Sequence, residues 1–149
     1  MSGQPATSAR TGPVILVIDD HEDTVQLISE FLRWHGAHPV GASSASVARD
    51  ILAGLCIDAV VTDYAMPGTD GVTFVREIRS RAALAGVPVV MVSGQASEDV
   101  VREASTLGAE YLPKPVDLEA LVTSLRAALG QRSFGFGDPS PGSGRRAPT

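Results

Sequence analysis

The chain has 149 residues, of which 44% are hydrophobic and only 5% aromatic, a composition typical of helices packed on a sheet rather than of a disordered chain. Its formal net charge is -5, and residues 13–130 alone carry eight basic and sixteen acidic side chains, which argues against a nucleic-acid-binding surface. Because no apolar run approaches the roughly 20 residues of a membrane span, and residues 1–12 lack the apolar core of a secretory signal, we expect a soluble, cytoplasmic protein without membrane insertion.

The two ends of the chain differ in composition from its centre. Gly, Pro, Ser and Thr dominate residues 1–12 and 131–149, so both are predicted to be flexible tails around one domain at 13–130. The second tail is short and poor in hydrophobic residues, which predicts a protein without an attached output domain. The single Cys56 excludes an internal disulfide and a multi-cysteine metal site, and we expect a buried, unreactive thiol.

Short apolar runs alternate with helical patterns along the centre of the chain. The first half predicts, in order, strand Val14–Ile18, helix Thr24–His35 with Leu27, Ile28, Phe31 and Leu32 on one face, strand Ala37–Ala42, and helix Ser44–Leu55 with Val47, Ile51, Leu52 and Leu55 facing inward. The second half predicts strand Ala59–Thr62, helix Gly71–Arg81, strand Val87–Val92, helix Glu98–Leu107, strand Glu110–Leu112 and helix Asp117–Leu129. Strict alternation of five strands and five helices predicts an α/β fold, doubly wound around a five-stranded parallel sheet with right-handed crossovers.

Polar side chains follow four of the five predicted strands. Asp19 and Asp20 come after the first strand, Asp63 after the third, Ser93 after the fourth and Lys114 after the fifth. Ligands of doubly wound sheets bind outside the carboxyl ends of the strands, so these side chains are predicted to share one crevice. Lys114 is the only lysine in the chain, and its compact ammonium suits a dianionic phosphoryl group.

These residue types are those that phosphoryl transfer requires. Three carboxylates brought together repel one another, and Mg²⁺, which prefers oxygen ligands, is the natural counterion. An ionised Asp63 could attack phosphorus and form an acyl phosphate, while Mg²⁺ and Lys114 neutralise the phosphoryl oxygens. Ser93 could donate a hydrogen bond to the bound phosphoryl group.

Four segments around these residues resemble the receiver domain of two-component response regulators, a family with a flavodoxin-like topology. They are Val17–Asp20, Asp63–Gly71, Val92–Gly94 and Tyr111–Pro115, and the resemblance extends over Pro13 to Gly130. It implies that Asp63 accepts a phosphoryl group from a histidine of a sensor kinase or phosphotransfer protein. It also implies that Asp20, Asp63 and the backbone carbonyl of Ala65 hold Mg²⁺, with Asp19 acting mainly through a metal-bound water. Such a protein catalyses only its own phosphorylation and autodephosphorylation and is not otherwise an enzyme.

The resemblance further implies a switch formed by Ser93 and Tyr111. Ser93 would move towards the phosphoryl group and the ring of Tyr111 would turn inward, which would reshape the face built from the fourth helix, the fifth strand and the fifth helix. Output would be a downstream protein docking on that face, onward transfer of the phosphoryl group, or a phosphorylation-dependent homodimer. A cis peptide bond is expected between Lys114 and Pro115.

The chain departs from the family pattern in two places. Gly108–Tyr111 is one residue shorter than the family spacing, so a tighter loop is expected before the fifth strand. Ala65 and Gln95, at the positions that tune hydrolysis of the phosphoryl group, are not an obvious water-activating pair.

Nearby histidines are interpreted as surface residues. His21 is predicted to be a solvated neighbour of the acidic pair rather than a ligand, and His35, His38 and Trp34 are predicted to lie at the surface.

Two alternative functions use the same fold or nucleophile. An aspartate-nucleophile phosphatase would need a second aspartate where the chain has Ala65. A docking module that is never phosphorylated is disfavoured because all five polar positions are intact.

Overall fold

The computed structural model describes residues 12–94 and 97–130 of the chain. Five parallel strands form one sheet in the order β2-β1-β3-β4-β5: β1 Val14–Ile18, β2 His38–Ala42, β3 Ala59–Asp63, β4 Val89–Ser93 and β5 Ala109–Pro113. The helices are α1 Glu22–Trp34, α2 Ala45–Gly54, α3 Gly71–Arg79, α4 Glu98–Thr106 and α5 Leu118–Leu129. The predicted doubly wound α/β fold is confirmed. The predicted tails, apart from Gly12, and Gln95 lie outside the described residues.

The central strands are apolar because both of their faces are covered. Every residue of β1, β3 and β4 is buried. Alternate residues point to opposite faces of a strand, so Leu16 packs in one core cluster with α2, α3 and α4, whereas Ile15 packs in the other with α1 and α5. The carboxyl ends of these three strands are therefore held by the core on both sides.

Side-chain caps fix where several helices begin. Asp70 accepts a hydrogen bond from the backbone N–H of Thr73, and Asp117 accepts bonds from the first turn of α5. Such caps pair backbone donors that the helix leaves unsatisfied. The first helix begins at Glu22, two residues before its predicted start, because Glu22 and Asp23 are acidic residues that suit the first turn of a helix.

A glycine shapes the connection from β3 to α3. Two-residue antiparallel strands, Ala65–Met66 and Thr69–Asp70, form a small hairpin directly after Asp63. A Cβ atom on Gly71 would lie 2.6 Å from the Asp63 carbonyl oxygen, closer than real Cβ contacts come. Only glycine fits at this position without moving the backbone of Asp63.

A half-buried arginine ties two connections together at the opposite end of the sheet. The Arg79 guanidinium donates to the carbonyl oxygens of Val87 and Leu107, each at 2.7 Å, and to that of Ala85 at 3.1 Å. Burial lowers the pKa of Arg79. The contact joins the end of α3 to the segments that enter β4 and β5.

Several predictions about burial are wrong. Val47 and Leu55 are expected to face inward but are 40% and 47% exposed, and Leu27, on the predicted apolar face of α1, is 54% exposed. The buried stripe of α2 is narrower than its apolar stripe, since this helix buries only Ala45 and Ala48 completely. The expected burial of Cys56 is also wrong, because this residue is exposed and Ile57 beside it joins the core instead.

The remaining surface predictions are confirmed with one exception. Trp34 and His38 are exposed, but His35 is only half-exposed and its Nδ1 lies 3.0 Å from the Phe31 carbonyl oxygen. Within the two described stretches, no helix combines the length and apolar character that crossing a membrane requires.

Candidate functional site

The predicted polar residues meet at the carboxyl edge of the sheet. Asp19 directly follows β1, Asp63 and Ser93 are the last residues of β3 and β4, and Lys114 directly follows β5. Asp19, Asp63 and Ser93 are buried although they are polar. Because the buried strands fix their ends, these side chains are held in place by the core rather than by a mobile loop.

Lys114 bridges two of the carboxylates. Its Nζ lies 3.1 Å from Asp19 Oδ2 and 3.4 Å from Asp63 Oδ1. Its backbone N–H donates to the carbonyl oxygen of Ser93 at 3.0 Å, which ties the residue to the end of β4. Burial lowers the pKa of Lys114, but hydrogen bonds and charge interactions with Asp19 and Asp63 outweigh it and raise the pKa overall. The ammonium group is therefore charged at neutral pH.

Lys114 does not fully balance the charge on Asp63. Burial and the nearby Asp19 carboxylate raise the pKa of Asp63, against the opposing effects of Lys114 and a hydrogen bond from the Ala65 backbone. A further cation nearby would stabilise the ionised form of a buried carboxylate whose pKa is raised in this way.

The donor set at this edge fits a divalent ion. Asp19, Asp20, His21 and Asp63 each offer one ligand atom, and these atoms lie within 4.8 Å of one another. Three of the four are carboxylates, the ligands that Mg²⁺ prefers. Asp20 is the most open of the three, with 34% of its side chain exposed, so the site faces solvent on that side.

His21 makes closer contacts than the sequence indicates. Its side chain is 70% exposed, as expected of a solvated residue, yet its Nδ1 lies 3.1 Å from Asp19 Oδ1 and 3.2 Å from Asp20 Oδ1. Its backbone N–H also donates to Asp19 Oδ1 at 2.8 Å. The only signal in the sequence is its position directly after the acidic pair.

Comparison with known proteins identifies the family. Residues 15–126 match the model of the response regulator receiver domain. The chain belongs to this family. A solved receiver protein from Pseudomonas putida is 30% identical and superimposes with a TM-score of 0.74, over 78% of this chain and 97% of that one.

Curated relatives of this receiver domain are longer proteins. The response regulator MprA of a Mycobacterium species is 34% identical over 128 residues, which are 85% of this chain and 55% of that protein. Protein PetR of Rhodobacter capsulatus is 31% identical over 118 residues, 78% of this chain and 48% of that protein. The chain thus spans about half the length of these relatives.

The residues of the predicted switch lie next to each other in this receiver domain. The Tyr111 hydroxyl donates to the Ser93 carbonyl oxygen at 2.9 Å, and its side chain is half-buried. The peptide bond between Lys114 and Pro115 is cis, as predicted. The connection before β5 contains only Leu107 and Gly108, whose φ of 78° is in the left-handed region that favours glycine.

Proposed function

We propose that this receiver domain, assigned to residues 13–130, accepts a phosphoryl group on the Asp63 carboxylate. The observation that carries the proposal is the burial of Asp63 at the carboxyl edge of the sheet, in contact with the Lys114 ammonium, which also contacts Asp19. Membership of the receiver family supports a phosphorylated histidine of a sensor kinase or phosphotransfer protein as the donor.

Phosphoryl transfer to this residue needs little covalent chemistry from the protein. A carboxylate oxygen of Asp63 forms a bond to phosphorus as the P–N bond to the donor histidine breaks, and the electron pair of that bond returns to the imidazole. Lys114 neutralises one of the phosphoryl oxygens, and the Ser93 hydroxyl donates a hydrogen bond to another. Product release requires only that the dephosphorylated donor dissociates.

The carboxylates fit Mg²⁺, which would be held by Asp19, Asp20 and Asp63 together with the backbone carbonyl of Ala65. When bound, the ion supplies positive charge to the phosphoryl oxygens. Asp20 and Asp63 are proposed as direct ligands, and Asp19 as a ligand acting mainly through water. The raised pKa of Asp63 supports this assignment, because Lys114 alone leaves that carboxylate incompletely balanced.

Phosphorylation is proposed to act on the face formed by α4, β5 and α5. The Tyr111 hydroxyl is bonded to the Ser93 carbonyl oxygen, so displacement of Ser93 towards the phosphoryl group changes the hydrogen bond that orients the ring. A downstream protein, or a second copy of this domain, would dock on the altered face. The acidic charge of residues 13–130 disfavours nucleic acid as the direct partner of this domain, although a relative, PhoB of Pseudomonas aeruginosa, is named as a transcriptional regulatory protein.

The absence of an output domain and the cytoplasmic location stay predictions. Both are checked by fractionating the native cells and immunoblotting the fractions with an antibody against residues 13–130. The position of the band reports the mass of the protein. Recovery of a chain of 149 residues in the soluble fraction supports them, and a chain of twice that length contradicts the first.

The test of phosphorylation is intact mass after incubation with Mg²⁺ and acetyl phosphate. We expect one phosphoryl adduct on the wild type, none on Asp63→Asn and none when a chelator removes the metal. The matched control is Asp50→Asn, which changes an exposed aspartate on α2 and leaves the adduct in place.

Two results would contradict the proposal. An adduct that persists in Asp63→Asn places the phosphoryl group elsewhere. Failure of the wild type to react with acetyl phosphate and with a panel of phosphorylated kinases favours the docking module that is never phosphorylated.

A further inference from the structure

We propose that His21 is a metal ligand that gives this site affinity for a borderline divalent ion such as Zn²⁺, in competition with Mg²⁺. The inference rests on the proposed function in that both ions use Asp19, Asp20 and Asp63. It adds a nitrogen donor to a site otherwise made of oxygen donors.

The position of His21 is set by contacts from both its backbone and its ring. Its backbone N–H donates to Asp19 Oδ1 at 2.8 Å. Nδ1 lies between the two acidic residues, 3.1 Å from Asp19 Oδ1 and 3.2 Å from Asp20 Oδ1. The ring therefore faces the carboxylates although most of its surface is open to solvent.

The two oxygens of Asp19 have different neighbours. Oδ2 is paired with the Lys114 ammonium at 3.1 Å, whereas Oδ1 faces His21. An ion that binds Asp19 directly therefore approaches Oδ1, on the side where the imidazole nitrogen lies. Asp20 Oδ1 bounds the same space.

The spacing of these atoms suits a common ion. Ligand atoms about 2.1 Å from a divalent metal are about 3.0 Å apart at the right angles of octahedral geometry and about 3.4 Å apart at the tetrahedral angles that Zn²⁺ prefers. The separations of Nδ1 from the two carboxylate oxygens, 3.1 Å and 3.2 Å, lie between these values, and the full set, which includes Asp63, lies within 4.8 Å. Little rearrangement is needed for the four residues to surround one ion.

The chemical nature of the donors decides which ion gains from His21. Imidazole nitrogen is a common ligand of Zn²⁺, Ni²⁺ and Cu²⁺, whereas Mg²⁺ prefers oxygen and water. The opposing interpretation is that His21 only hydrogen-bonds the carboxylates. These two roles differ in their effect on the ratio of Zn²⁺ affinity to Mg²⁺ affinity.

The test measures that ratio on untagged full-length protein. Zn²⁺ affinity is obtained by competition with a chromogenic chelator and Mg²⁺ affinity by calorimetry, for the wild type, His21→Gln and His38→Gln. Glutamine keeps a hydrogen-bond donor but removes the imidazole nitrogen, and His38 is an exposed histidine on β2 that serves as the matched control. We expect the Zn²⁺ to Mg²⁺ ratio to fall about tenfold or more in His21→Gln and to stay unchanged in His38→Gln.

A second measurement keeps the inference testable if the variant folds poorly. The side-chain ¹⁵N resonance of His21 Nδ1 in the wild type should shift strongly when Zn²⁺ binds and only weakly with Mg²⁺. Excess Mg²⁺ should reverse the shift, because the two ions share the carboxylates.

The results separate this inference from the proposed function. An unchanged affinity ratio in folded His21→Gln, or an Nδ1 resonance that does not respond to Zn²⁺, overturns the inference even if acetyl phosphate modifies Asp63. Zn²⁺ binding through His21 in a protein that acetyl phosphate fails to modify supports the inference and contradicts the proposed function.

Discussion

Among the single residues, Asp63 has the widest consequences, because its charge affects the stability of the fold as well as the chemistry of the site. Its carboxylate is buried, and burial together with the charge of Asp19 raises its pKa despite the neighbouring Lys114. The folded protein therefore binds the Asp63 proton more tightly than the unfolded chain does, and an ionised Asp63 lowers stability. The charge that suits Asp63 to phosphoryl transfer therefore lowers the free energy of unfolding.

Replacing this residue should stabilise the metal-free protein. We expect Asp63→Asn to raise the free energy of unfolding at pH 7, because asparagine carries no charge that burial and Asp19 would disfavour. The gain should shrink as the pH falls below the raised pKa towards the unfolded value, because wild-type Asp63 then becomes protonated and neutral as well. Urea unfolding of both proteins in chelator, from pH 7 down to pH 4, checks this, and a variant less stable than the wild type at pH 7 would contradict it.

Lys114 is expected to couple phosphorylation to the switch. Its ammonium contacts Asp63 and its backbone N–H donates a hydrogen bond to Ser93, so it joins the proposed phosphoacceptor to β4. Lys114→Ala should still be phosphorylated on Asp63, but the backbone amide resonances of α4, β5 and α5 should change much less than in the wild type.

The control for this variant is Arg102→Ala, which removes an exposed cation from α4. Its resonances outside the substituted turn should respond to phosphorylation as in the wild type. Equal responses in Lys114→Ala and the wild type would show that the lysine does not couple the two.

Among the helices and strands, the connecting segments make contacts between residues that are far apart in the sequence. Arg79 at the end of α3 donates to carbonyl oxygens before β4 and before β5. Gly71 at the start of α3 allows the backbone to pass close to Asp63. The two ends of α3 therefore have contacts at opposite ends of the strands, Gly71 near the carboxyl end of β3 and Arg79 near the starts of β4 and β5.

Loss of the Arg79 side chain should destabilise the protein measurably. Hydrogen bonds to a charged group are worth about 1.5–3 kcal/mol, and water can replace part of this at half-exposed carbonyls. We expect Arg79→Met to lower the free energy of unfolding by about 2 kcal/mol, measured by urea denaturation. Arg76→Met, which removes an exposed ion pair with Glu103 one turn earlier, should cost under about 1 kcal/mol; equal losses would contradict the role of Arg79.

The close approach at Gly71 makes a different prediction. Alanine there would force its Cβ against the Asp63 carbonyl oxygen and move the proposed phosphoacceptor, so Gly71→Ala should slow modification by acetyl phosphate as well as lower stability. Gly54→Ala, where a Cβ meets no atom within 4 Å, is the control and should retain wild-type reactivity. Full reactivity of folded Gly71→Ala would count against the positioning of Asp63 by this turn.

For the whole molecule, the features that the sequence predicts most clearly are those that local residue patterns determine. Continuous apolar runs in β1, β3 and β4 predict strands covered on both faces, and the topology of such a sheet brings Asp19, Asp63 and Lys114 together. The exposure of Leu27 and Leu55 was missed because helical periodicity predicts an apolar face but not how much of it the sheet covers. The contacts of Arg79 were missed because they link segments that are distant in the chain.

The presence of a single lysine at the centre of the site gives this protein a built-in chemical reporter. An acylating reagent that attacks primary amines has one side-chain target in the entire sequence, Lys114, besides the terminal amine. The Lys114 side chain is only 26% exposed, and its amine contacts Asp19 and Asp63. The rate at which a proteolytic fragment containing Lys114 acquires the label therefore reports the occupancy of the crevice, without any engineered probe.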